Sequence, residues 1–145
     1  MRNVLVLTGL LSSSLLVASA LPAADWTEFR GPTGQGHATD GKFPTEWSAE
    51  KNVAWKTPIP GKGWSSPIII GNQIFVTTAV PKGDDSKDLS LRTLCLDKTS
   101  GSVVWDIEVF VQDGKAASPI HPKNSHASSS PISDGKHVFV HFGTH

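Results

Sequence analysis

Two stretches of this 145-residue chain are copies of one pattern. Ser65-Ser66-Pro67-Ile68-Ile69-Ile70-Gly71-Asn72-Gln73-Ile74-Phe75-Val76 aligns without a gap on Ser129-Ser130-Pro131-Ile132-Ser133-Asp134-Gly135-Lys136-His137-Val138-Phe139-Val140, at a constant offset of 64 residues. Seven of the twelve positions are identical, and an eighth pairs Ile74 with Val138. A second element recurs at a shorter offset: Asn52-Val53-Ala54-Trp55 resembles Ser102-Val103-Val104-Trp105. The offsets differ because the connection from Trp105 to the second Ser-Ser-Pro is longer, and repeats commonly differ in a loop on one face.

The repeated pieces read as strands. Val53–Thr57, Pro67–Ile70, Gln73–Val80, Leu89–Leu96, Val103–Val109 and His137–Phe142 are short and rich in Val, Ile, Phe, Trp or Thr. Gly, Pro, Asp or Asn bound them. Gly71-Asn72 and Asp134-Gly135 are two-residue hairpin signals between such runs. No window beyond the N-terminal apolar run carries the period of an amphipathic helix.

A unit of about 50 residues with four strands is the pattern of a propeller blade. One four-stranded sheet has two apolar faces and cannot cover both, so its neighbours must. The expected fold is all-β: a partial β-propeller of about one and a half four-stranded antiparallel blades. Ser66–Ile70 would be innermost in the first blade, followed by Gln73–Val80, Leu89–Leu96 and Ser102–Val109. Val53–Thr57 would be the outermost strand of another blade. Since propellers close with about 4–8 blades, the chain reads as an N-terminal fragment of a longer protein.

Residues 1–20 read as a signal peptide. Arg2 gives a positive start, Val4–Ala18 a mostly apolar run, and Ala18-Ser19-Ala20 a small-x-small cleavage site. A spanning helix needs about 20 apolar residues, and this run is interrupted by Thr8, Gly9 and Ser12–Ser14. The expectation is export to the periplasm or medium, with no membrane span after cleavage. The lone Cys95 suits that oxidising compartment and excludes both an intramolecular disulfide and a thiolate-rich metal site. Residues 21–50 read as a Gly-rich lead-in, and 51–145 as the incomplete propeller domain. Gly31–Gly36 lacks the preceding strand, following helix and Lys-Ser/Thr pair of a phosphate loop, so Pro32 and Gly34 predict successive turns instead. Thirteen basic and thirteen acidic residues leave no net charge, so no long-range field recruits nucleic acid or an anionic membrane.

Cys95-Leu96-Asp97-Lys98-Thr99-Ser100-Gly101-Ser102-Val103-Val104-Trp105 resembles the tryptophan-docking repeat of pyrroloquinoline quinone (PQQ) propellers, Ala-x-Asp-x-x-x-Gly-Lys-x-x-Trp. Asp97, Gly101 and Trp105 match in place; Cys95 replaces the Ala and Ser102 the Lys. Trp26–Gly36, Trp55-Lys56-Thr57 and Gly63-Trp64-Ser65-Ser66-Pro67 are similar to segments of exported bacterial PQQ-binding-like repeat proteins. The resemblance implies structural docking roles for Trp55, Asp97, Gly101 and Trp105. It also implies that PQQ and calcium could belong to a full-length protein. Quinoprotein dehydrogenases of that fold often use adjacent cysteines, which this sequence lacks. Members resembling the outer-membrane assembly lipoprotein use the same repeats as scaffolds, although they carry a lipid-attachment cysteine missing here.

Asp97 and Thr99 suit a tight turn that Gly101 completes with a positive φ. Trp105 would then lie flat between blades, its indole N–H meeting a backbone carbonyl. Cys95, inside an apolar strand, reads as a small buried hydrophobe. His137, His141 and His145 recur every fourth residue, but on a strand such positions stand about 13 Å apart, too far to share one ion. They share a strand face with Phe139. The loop Ile120–Ser130 leads into an innermost strand, which in a propeller places it beside the central channel. Lys123, Asn124 and His126 are therefore the candidate groups for an anionic or quinone-like ligand, with Trp64 to stack on it; the competing reading is a solvated inter-blade loop. No Ser-His-Asp arrangement or paired carboxylate points to catalysis, so no catalytic or metal-ligating residue is assigned. The sequence favours an exported, non-catalytic propeller that binds proteins or a small ligand in its channel. The alternative is a PQQ- and calcium-dependent alcohol or sugar dehydrogenase whose active site lies mostly beyond residue 145.

Overall fold

Gly71 and Asn72 reverse the chain between two apolar runs, and the resulting hairpin starts an antiparallel sheet. In a computed structural model that describes residues 25–38, 41, 43–83, 87–117 and 119–143, β1 is Ile68–Ile70, β2 Gln73–Pro81, β3 Leu89–Asp97 and β4 Val103–Gln112. They form one sheet in the order β1-β2-β3-β4, every pair antiparallel. A separate two-stranded ladder joins β5, Ile132–Ser133, to β6, Val138–Phe139. The described residues contain no helix, so none is long and apolar enough to cross a membrane. The signal-peptide assignment falls on residues outside the described set.

The ladder starts at Ile68, not Ser66, because Pro67 has no N–H to contribute. Upstream, the chain returns to the β2 edge at one point, where Lys62 and Ala79 exchange two backbone hydrogen bonds of 3.0 Å. The glycines either side of Lys62 allow this approach: a Cβ on Gly61 would meet the Ala79 carbonyl, and one on Gly63 the Thr77 carbonyl. Between them and β1, the Thr77 N–H donates to Ser65 Oγ at 3.3 Å.

The sequence repeat is also a repeat of register. Ile68 pairs with Phe75 and Ile69 with Ile74; 64 residues later, Ile132 pairs with Phe139 and Ser133 with Val138. The turns differ. Ile70 pairs with Gln73 across Gly71-Asn72, whereas the equivalent Asp134 uses its carboxylate to accept from the backbone N–H groups of Lys136 (2.9 Å) and His137 (2.6 Å). An aspartate at this position diverts the N–H that would otherwise extend the ladder. Asp134-Gly135 is consequently part of a four-residue loop, not the two-residue turn expected.

One sheet face presents Phe75, Ala79, Leu91 and Cys95, and the second copy lies over it. Ala79 and Leu91 pack with Ala127 and Phe142, while Ile68, Phe75 and Cys95 pack with Val138. The other face carries Leu94 and Leu96, also buried. The strap before β1 reaches this sheet through Thr57, which donates to the Gly101 carbonyl at 2.6 Å, and through the Pro60 carbonyl, which accepts from Thr78 Oγ1 at 2.5 Å. Val53–Thr57 was expected as a strand, yet it joins no β-ladder. Its side chains, not its backbone, attach it to the β3–β4 turn.

The lead-in forms the successive turns foreseen for it, with Gly31 N–H bonded to the Glu28 carbonyl and Gly34 N–H to the Gly31 carbonyl, both at 2.9 Å. Trp26 exchanges two 2.8 Å backbone bonds with Ile69, and the Thr27 carbonyl accepts from Ser133 N–H at 2.8 Å. Ile69 and Ser133 occupy the same position in the two copies, so two adjacent lead-in residues tie the hairpins together.

Candidate functional site

The β3–β4 connection is built around Asp97. Its Oδ1 accepts from the backbone N–H groups of Thr99 (3.0 Å) and Ser100 (2.7 Å) and from Ser100 Oγ (2.9 Å). Asn72 Nδ2 donates to Oδ2. These donors, led by the Ser100 N–H and hydroxyl, hold the carboxyl below its ordinary value of 3.8. Lys98 adds a backbone bond to the Asn72 carbonyl (2.9 Å), and its Nζ reaches the Gly71 carbonyl (2.8 Å). The β1–β2 and β3–β4 turns are thereby laced side by side.

Trp55 docks on this turn. Its indole Nε1 donates to the Lys98 carbonyl at 2.9 Å, and its ring lies where a Cβ on Gly101 would sit. Gly101 also has φ of 72°, so two independent constraints call for glycine. The same device closes the lead-in: the Trp26 ring covers Gly31, whose φ is likewise 72°.

Of the four docking residues expected, Trp55, Asp97 and Gly101 therefore meet at one turn, and Trp105 lies elsewhere. Half-buried on β4, Trp105 faces Phe75 with ring centroids 5.8 Å apart and planes inclined by 49°. Its indole N–H has no partner among the described residues. The backbone carbonyl expected for it is the arrangement found at Trp55.

The four ligand-facing candidates divide in the same way. Asn124 and His126 line a cavity of about 240 Å³ at the end of the sheet where β2 stops and β3 starts, together with Lys62, Ala79, Pro81, Leu89, Ile120 and Ser125. Trp64 is exposed and outside its wall; its backbone N–H donates to the Ala127 carbonyl at 3.1 Å. Lys123 is outside it too, its N–H held by His121 Nδ1 at 3.2 Å. The cation of the cavity is Lys62, which the sequence reading missed. Its signal was Gly61-Lys62-Gly63, where two glycines mark close backbone approach and a single cation stands between them.

Among the described residues no group of three His, Cys, Asp or Glu could hold a metal ion. His137 Nδ1 sits 3.1 Å from Asp134 Oδ2, and His141 Nδ1 3.1 Å from Ser129 Oγ; His145 is outside the described set. Only Val138 and Phe139 of the His137–Phe142 run are in a ladder. Cys95 is a free, fully buried thiol, and burial raises its pKa above 9.0. No protein-family model matches the chain, and no similar curated protein or solved structure was found.

Proposed function

We propose that the chain is a non-catalytic binding propeller of the PQQ-like repeat type, exported by its N-terminal signal and working as a scaffold for protein partners or a channel ligand. The observation that carries this reading is the repeated register of the two hairpins, the second seated on the sheet of the first. That is the stacking expected of successive blades, each sheet covering a face the other cannot cover alone. Trp55 on the Gly101 turn supports the same reading, since an indole from a preceding segment closes the following unit. The polar groups in both turns are committed to holding backbone, which favours a structural over a chemical role for them.

The test is reconstitution of the purified protein with PQQ and Ca²⁺. The scaffold reading expects no retained quinone absorbance after desalting and no dye-linked oxidation of alcohols or sugars. Stoichiometric quinone retention with turnover would replace it by a quinoprotein dehydrogenase. Mass spectrometry of the protein recovered from the periplasm or medium tests export separately, with a mature start at Leu21 expected.

A further inference from the structure

The cavity at the β2–β3 end is lined by both apolar and polar residues. Ala79, Pro81, Leu89 and Ile120 supply apolar surface, while Lys62, Asn124, Ser125 and His126 supply the polar groups. Such a mixture suits a small organic ligand whose body enters the apolar part while a few polar groups fix its orientation.

The sign of the lining decides the ligand class. Among the described residues the lining includes one lysine and no carboxylate. The nearby Asp88 is turned to another task, its Oδ1 accepting from Gly114 N–H at 2.9 Å. Lys62 has no acidic partner among the described residues, and the side chains of Asn124 and His126 have no hydrogen-bond partner there. Ser125 is different: its hydroxyl donates to the Lys62 carbonyl (2.7 Å) and accepts from Ala127 N–H (3.1 Å). With the two Ala79 bonds, this pins the Lys62 backbone at three points and leaves its ammonium uncommitted. An uncommitted ammonium beside two uncommitted side chains able to donate matches a carboxylate group, whose bonds to charged donors are the stronger kind.

We propose that this cavity binds a small monocarboxylate with a compact apolar body, its carboxylate held by Lys62 with Asn124 and His126 and its body against Leu89 and Ile120. The inference does not rest on the propeller reading, because every lining residue named belongs to the described residues.

Calorimetric titration of the whole chain with sodium benzoate and sodium hexanoate tests it, with benzyl alcohol as the uncharged probe. Saturable one-to-one binding of a carboxylate is expected, with benzyl alcohol roughly tenfold weaker or more, as for loss of a charged hydrogen bond. Lys62→Met should weaken the carboxylate by a similar factor, and Lys62→Arg should restore most of it. Because the Lys62 backbone, not its side chain, bridges to Ala79, both variants should keep the wild-type thermal midpoint. Absence of saturable binding by either carboxylate overturns the proposal. So does equal affinity for benzyl alcohol, or an unchanged affinity in Lys62→Met. Failure here with quinone retention in the reconstitution would sink both readings separately, since the two assays share no probe.

Discussion

The backbone N–H of Ser66 donates to Oγ of Ser130 at 2.9 Å, and the two serines occupy the same position in the two sequence copies. The contact therefore joins the two copies directly at equivalent positions. Around it, Thr77 Oγ1 donates to the Ser129 carbonyl at 3.3 Å and Trp64 N–H to the Ala127 carbonyl at 3.1 Å. The junction between copies is therefore polar along the segments preceding β1 and β5, and apolar over the sheet face.

Ser130→Ala should destabilise the protein by about 1 kcal/mol, the usual result of stranding a partly buried N–H. Urea unfolding measures it. The conservative Ser130→Thr, which keeps the hydroxyl, should recover most of the loss.

Gly101→Ala should cost roughly 2–4 kcal/mol, since the added Cβ is strained at a positive φ and also meets the Trp55 ring. In a Trp55→Ala background the clash with the ring is gone, leaving the backbone strain and the closer approach to Thr57 Oγ1. The same glycine substitution should then cost clearly less, and a thermal double-mutant cycle reads the difference.

Leu91 has no exposed surface and packs against Ala127 and Phe142, which flank the second copy. Leu91→Ala should lower stability by about 2–5 kcal/mol. Val104 on the same sheet is 56% exposed, and Val104→Ala should stay within about 0.5 kcal/mol. Equal losses at the two positions would contradict the packing described.

The carboxyl of Asp97 is held below its ordinary value in the folded protein, and so is that of Asp134, by the His137 and Lys136 N–H groups and the His137 ring. Each therefore contributes stability that is fully present above the unfolded-state pKa and lost as pH falls through the folded one. The urea midpoint should decline from about pH 4 downwards. Asp97→Asn should start lower and show a flatter decline over that range.

Cys95 is fully buried with a raised pKa, so a thiol reagent at pH 8 should label it only as fast as the sheet opens. Labelling at the rate of a free thiol in native buffer would place it at the surface instead.

Much of the sheet was legible because its signals are local. Alternation and turn residues place β2, β3 and β4 within a few residues, and Pro67 accounts for the late start of β1. The end of β4 was harder: its ladder to β3 shifts register at Leu91/Arg92 and Cys95/Leu96, and it continues to Gln112. The roles of the tryptophans depend on contacts distant in sequence. Trp55 and Trp105 share a local motif, yet only Trp55 finds a glycine turn, because the Gly101 segment folds back beside it. Lys62 escaped notice for a similar reason, since its neighbours in the cavity come from β2, β3 and the 120–126 loop.

The stitching of Trp26 to Ile69 and Thr27 to Ser133 has a consequence for the order of events during synthesis. The first partner leaves the ribosome early, while the second follows only after the whole first sheet has emerged. The N-terminal segment thus has one partner in each hairpin, and its second attachment can be made only once the second hairpin exists.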